Sequence, residues 1–117
     1  MIDPNTVPDG IMWILHTHYQ DKQKGLPKGV TKVKYSNKRY APIFTIREGE
    51  TKVIKKPKCK SPEEAHQYWQ WMLCKTATGA LDVWQHEDSF SLELANHILN
   101  NIVQPVWDDY EAGRESH

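Results

Sequence analysis

Ser61-Pro62-Glu63-Glu64-Ala65-His66-Gln67-Tyr68-Trp69 is the stretch around which the rest of the chain must be arranged. Ser61 supplies a capping oxygen, Pro62 carries the φ of a first helical residue, and Glu64 at the third position completes a capping box. Glu63 and Glu64 also face the positive end of the helix dipole. Ala65, Tyr68, Trp69, Met72, Leu73 and Thr76 then recur at helical spacing and define one apolar face, with Gly79 as the expected stop. A helix with one apolar face needs a second layer to bury it.

The upstream sequence supplies that layer. Val30-Thr31-Lys32-Val33-Lys34-Tyr35 alternates as a strand does, and Ser36-Asn37-Lys38 has turn chemistry. Residues 39–47 form a second strand built on Tyr40, Ile43, Phe44 and Ile46. Glu48-Gly49-Glu50 makes a tight connection in which Gly49 takes a positive φ without cost, and Thr51-Lys52-Val53-Ile54-Lys55 returns before Pro57 ends the strand. If Tyr40, Phe44 and Ile46 face the helix, Ala41, Ile43, Thr45 and Arg47 face outward. Val33, Tyr35, Ile43 and Val53 then make that outer face partly apolar.

Outside this block the signals are plainer. Pro4, Pro8 and Gly10 make residues 1–10 an irregular lead-in. Ile11-Met12-Trp13-Ile14-Leu15, continuing as His16-Thr17-His18-Tyr19, is short, apolar, and rich in β-branched and aromatic residues, which predicts a strand. A second amphipathic helix is expected from near Ser89 or Ser91. Its stripe is Leu94, Ala95, Ile98, Leu99, Ile102, Val103, Val106 and Trp107, bent or restarted at Pro105. Asp108, Asp109 and Glu111 give it an acidic end, and the last residues are expected to fray. The predicted class is α+β: a three-stranded antiparallel sheet packed on an amphipathic helix, with an additional N-terminal strand and a C-terminal helix. Residues 1–26 form an extension, 27–78 the sheet–helix unit, and 79–117 the C-terminal helix and acidic tail.

Charge is distributed as unevenly as the folding signals. Of 15 basic residues, 13 fall between Gln20 and Lys60, where only three acids occur; the rest of the chain has two basic residues and 12 acids. Such a basic block is the usual footprint of a surface that meets phosphates. At 117 residues with 38 % hydrophobic composition, five Trp and five Tyr, the chain suits one small domain with an aromatic core. No apolar run is long enough to cross a bilayer. The opening Met1-Ile2-Asp3-Pro4 lacks the pattern of a secretory signal, so a cytoplasmic location is expected, with Cys59 and Cys74 as reduced thiols.

The block Lys28-Gly29-Val30, Tyr40-Ala41, Ile54 and Ser61-Pro62-Glu63-Glu64-Ala65-His66-Gln67-Tyr68 resembles the Apetala/ethylene-response-factor DNA-binding domain. The likeness is closest to the versions carried by phage and bacterial HNH homing endonucleases and integrases, and it spans roughly residues 27–78. It implies a sheet laid in the major groove of duplex DNA. Lys28 matches the arginine before the opening glycine, Thr31 the arginine after the valine, and Thr45 the arginine of the second strand. Val53 and Lys55 match the outward residues of the third strand. Lys56 and Pro57 stand where the family has leucine and glycine.

The expected function is that of a small non-enzymatic DNA-binding protein, phage or mobile-element encoded. Its contacts are assigned to Lys28, Thr31, Lys32, Lys34, Lys38, Arg39, Thr45, Arg47, Lys52, Lys55 and Lys56. The alternative is a protein-interaction module, such as a phage inhibitor of a host or defence enzyme. His16-x-His18 would share one face of a strand, but nothing at nearby spacing supplies further ligands, so no metal and no cofactor are expected. No nucleophile motif or HNH arrangement points to catalysis. The length of the 94–107 stripe suggests a homodimer through the C-terminal helix. If Asp108, Asp109, Glu111 and Glu115 fold back near the lysine-rich sheet they compete with phosphates; otherwise the tail is simply solvated.

Overall fold

The Ser61 cap forms: its Oγ accepts the Glu64 amide at 3.1 Å and opens helix α2 (Pro62–Trp84) in the computed structural model. The structure describes residues 7–34, 39–47, 50–54 and 58–117, the side chain of Arg47 excepted. Glu64 Oε2 accepts the amide of Lys60 at 3.1 Å, so the reciprocal half of the box closes one residue before the cap. Gly79 does not stop the helix. An exposed mid-helix glycine costs about 1 kcal/mol, whereas burying Leu81 and Trp84, 8 % and 1 % exposed, returns about 1.5–3 kcal/mol each.

Strands β1 (Val30–Lys32), β2 (Tyr40–Arg47) and β3 (Glu50–Val53) form an antiparallel sheet in the order β1-β2-β3. Val30 faces Pro42 and Lys32 faces Tyr40; Ile43 faces Val53, Phe44 faces Lys52 and Thr45 faces Thr51. The register shifts between Thr45 and Arg47, so that Arg47 pairs with Glu50. The expected Ser36-Asn37-Lys38 turn, Gly49, Lys55 and Pro57 lie outside the described residues.

The N-terminal segment is a helix and not the expected strand: α1 spans Asp9–Tyr19. Ile11, Ile14 and Thr17 are buried at three-residue spacing, while Met12, Trp13 and Leu15 pack against the same core. Preference for strand in β-branched residues is a weak bias, and burial along one helical face overrides it.

The C-terminal element is helical throughout. Ser91 Oγ accepts the Leu94 amide at 3.2 Å and caps α3 (Leu92–Ile98). A π-helical stretch (Leu99–Val103) follows, then α4 (Gln104–Ala112). The Gln104 amide bonds back to Leu99 O, a widened turn placed directly before Pro105, which has no amide to continue the ladder.

Helix α2 is the hub, packing against α1, β1 and β2 and also against the π-helical stretch and α4. Phe44, Ile11, Ile14, Trp69, Leu73, Trp84, Leu94, Ile98, Ile102 and Val106 belong to one core. All three sequence segments therefore contribute to a single interior. Leu94, Ala95, Ile98, Ile102 and Val106 are buried within the chain, so the C-terminal stripe gives no reason for a dimer; Leu99 is left 40 % exposed. The end is not frayed either, since Ser116 is buried. Among the described residues no helix is long and apolar enough to cross a membrane.

Candidate nucleic-acid interface

Cross-strand partners share a face of the sheet, so the register sorts the side chains. Thr31 with Ala41, Ile43 with Val53, and Thr45 with Thr51 make an outer row that carries no charge. Lys32 and Lys52 lie on the opposite, helix-side row, facing Tyr40 and Phe44, yet both are exposed. Lys34 and Arg39 are exposed at strand ends, and the Val33 amide bonds to Arg39 O at 3.1 Å. Lys58 and Lys60 are exposed just before α2. Among the described residues the cations thus form a rim around a row of uncharged side chains. Lys38, Lys55 and Lys56 lie outside the described residues, and Arg47 is placed by its backbone alone.

Two of the expected contact residues have structural roles. Beyond the end of β1, the free edge of β2 is finished by side chains and a loop. Thr17 Oγ1 accepts the Thr45 amide at 3.1 Å and donates to Thr45 O at 3.2 Å. Gln20 Nε2 donates to Ile43 O at 2.9 Å, and the Thr45 hydroxyl donates to Gln20 Oε1 at 2.6 Å. Gly29 O accepts the Ile43 amide at 2.8 Å. Thr45 is therefore occupied by α1 and the residue that follows it, and does not stand free on the groove side. Lys28 is half-buried, and desolvation lowers the pKa of its ammonium against the opposing pull of Asp21. Its carbonyl is held by His66 Nδ1 at 2.7 Å. The edge-capping pair Thr17 and Gln20 was missed in the sequence, where a threonine in an apolar run carries no mark of its partner.

The acidic part of the chain does not cancel the rim. From Gly79 onward there are eight acids and one arginine; Asp108, Asp109 and Glu111 lie on α4, which packs on α2. Among the described residues ion pairs join Arg114 to Asp109 at 3.2 Å and His117 to Glu115 at 3.4 Å. Lys32, Lys34, Arg39 and Lys52 pair with no described acid. The tail is neither folded back on the lysine-rich sheet nor simply solvated: it docks on α2 through Gln70 and His66.

His16 and His18, two apart on a helix, diverge instead of sharing a strand face. No group of three or more His, Cys, Asp or Glu among the described residues is placed to hold a metal ion. Trp69 is fully buried and Trp71, two residues on along the helix, is 36 % exposed. Trp71 stacks on Tyr68 with centroids 5.7 Å apart, beside a groove of about 350 Å³ that Glu64 and Tyr110 also line. A cleft of about 500 Å³ lies between the end of α1 and β2, lined by His16, Gln20, Asp21, Ile43 and Thr45 among others. No protein-family model matches the chain, and no curated protein or solved structure matches it.

Proposed function

We propose that this chain is a small non-enzymatic protein that binds duplex DNA through the basic rim of its sheet. The observation that carries the reading is the exposure of Lys32, Lys34, Arg39 and Lys52 without a described acidic partner. A narrow antiparallel ribbon fits the major groove, and lysines at its margins meet the phosphates that flank it. The uncharged side chains of Thr31, Thr51 and Val53 offer methyl groups to base edges and few hydrogen bonds, while Ala41 in the same row is buried. Binding is therefore dominated by phosphate contact, with slight sequence preference. Four phosphate contacts give a log–log salt slope of about −3.6. A slope near or steeper than that supports the reading, and a slope near zero contradicts it.

A second reading is favoured by one observation, the exposed Trp71 ring on its Tyr68 neighbour beside Glu64. Such an aromatic groove suits a protein partner. Retention on duplex-DNA resin at moderate salt supports the first reading. Flow-through there, together with a specific protein bound in a manner abolished by Trp71→Ala, supports the second.

A further inference from the structure

His66 joins two segments that are far apart in sequence. Its Nδ1 lies 2.7 Å from the Lys28 carbonyl, and its Nε2 accepts the Ser116 amide at 2.9 Å. A carbonyl oxygen accepts and a backbone amide donates, so the two partners require a proton on Nδ1 and a bare Nε2. The ring is 3 % exposed and stacks on Trp69, with centroids 5.6 Å apart and planes at 19°. Around it the tail is held by polar bonds. Gln70 Nε2 donates to Arg114 O and to Ser116 Oγ, both at 2.9 Å, and the Ser116 hydroxyl donates to Asp109 Oδ2 at 2.9 Å. Gly113, with φ of 69°, turns the chain back from α4 to reach this slot.

We propose that His66 is a proton-gated clamp that locks Arg114–Ser116 onto α2 while its ring is neutral and releases them when the ring is protonated. A proton on Nε2 would set two donors against each other across 2.9 Å, and the Ser116 amide would lose its acceptor inside the protein. The charged groups facing the ring pull in different directions. Burial is the largest influence and favours the neutral ring. The Lys28 carbonyl, Glu115 and Asp109 favour the cation, and His117 opposes it. Burial prevails, so the docked tail binds fewer protons than the released one. Docking is therefore complete above the ordinary histidine range and weakens as the pH falls through and below it. Release uncovers Gln70, whose Oε1 is buried without a partner among the described residues, and opens the slot between His66 and Asp109 to water. His66 and Gln70 lie one helical turn apart on α2 and, with Asp109 of α4, bond Ser116 directly, so the group that titrates sits within the latch it loosens.

The test is amide hydrogen exchange and histidine NMR on the full chain between pH 7.5 and 5, over the range in which circular dichroism is unchanged. After correction for intrinsic rates, the Ser116 amide should lose at least tenfold protection, with a midpoint that coincides with the His66 ring titration. Ser116→Pro removes the donor and leaves the ring in place. It should free residues 114–117 at pH 7.5 and move the His66 midpoint up towards the ordinary imidazole value. Constant Ser116 protection through the His66 titration would overturn the proposal, as would an ordered tail in Ser116→Pro.

Discussion

Gly29 lies against the indole of Trp69 so closely that a Cβ at position 29 would enter the ring. The glycine has φ of 78°, a left-handed conformation that side chains disfavour, and Trp69 is fully buried, so neither partner has room to yield. This contact joins the start of β1 to the centre of α2, beside the carbonyl that His66 holds.

Gly29→Ala should therefore lose about 3 kcal/mol, the sum of overpacking and a positive-φ penalty. Chemical denaturation reads this as a lower midpoint at unchanged slope. A loss below about 0.5 kcal/mol, the scatter of ordinary surface substitutions, would mean the contact is not close.

Thr17→Val should cost about 2 kcal/mol, because it leaves both the amide and the carbonyl of Thr45 at a half-buried edge without partners. Thr17→Ser keeps the hydroxyl and should recover most of that loss. Equal losses in the two variants would show that the methyl group matters and not the hydrogen bonds.

The parts of the fold that were legible are those written locally. The Ser61 cap, the alternation of β2, and the placing of Tyr40 and Phe44 on one face and Ala41, Ile43 and Thr45 on the other all follow from neighbours in sequence. Helix α1 was not legible, because Ile11, Ile14 and Thr17 read as strand formers until tertiary burial selects one helical face. Gly79 misled for the same reason, since Leu81 and Trp84 extend α2 by what they bury. The tail was illegible in another way: its bond to His66 spans 50 residues and joins two polar groups with no local signature. Charge sign marked the basic block, but it took the register to show Lys32 and Lys52 on the helix-side row and α1 to show Thr45 occupied.

Acid should weaken the fold before its carboxylates titrate. Burial holds His18 at about 4, below its ordinary 6.5, and repulsion from Lys28 and His97 adds to the shift. Between those two values the unfolded chain binds a proton that the folded ring refuses. Stability is thus full above about pH 6.5, falls as the pH drops towards 4, and levels below it. His66 is shifted in the same direction. Melting temperature measured against pH should show this decline, and His18→Gln should make it shallower. An identical pH profile in that variant would contradict the assignment.

Cys59 and Cys74 are buried, 0 % and 3 % exposed, and form no disulfide. Burial raises both thiol pKa values, with Glu64 adding to the effect at Cys59; Cys74 reaches about 12 despite the opposing charge of Lys75. Thiolate is the reactive form, so a thiol reagent at neutral pH should modify neither residue in the folded protein and both after denaturation. Rapid native labelling of either one would contradict their placement.

Fluorescence anisotropy with labelled duplex DNA at low salt reads contact between the basic rim and phosphates. The wild-type chain should bind with a dissociation constant in the micromolar range, typical of sequence-independent contact. The triple variant Lys32→Glu, Lys34→Glu, Lys52→Glu alters exposed side chains and should remain folded by circular dichroism. Its affinity should fall by at least 100-fold, since three phosphate contacts are lost and three repulsions gained. Wild-type binding absent below millimolar concentration, or affinity unchanged in the folded triple variant, would contradict DNA binding through the rim.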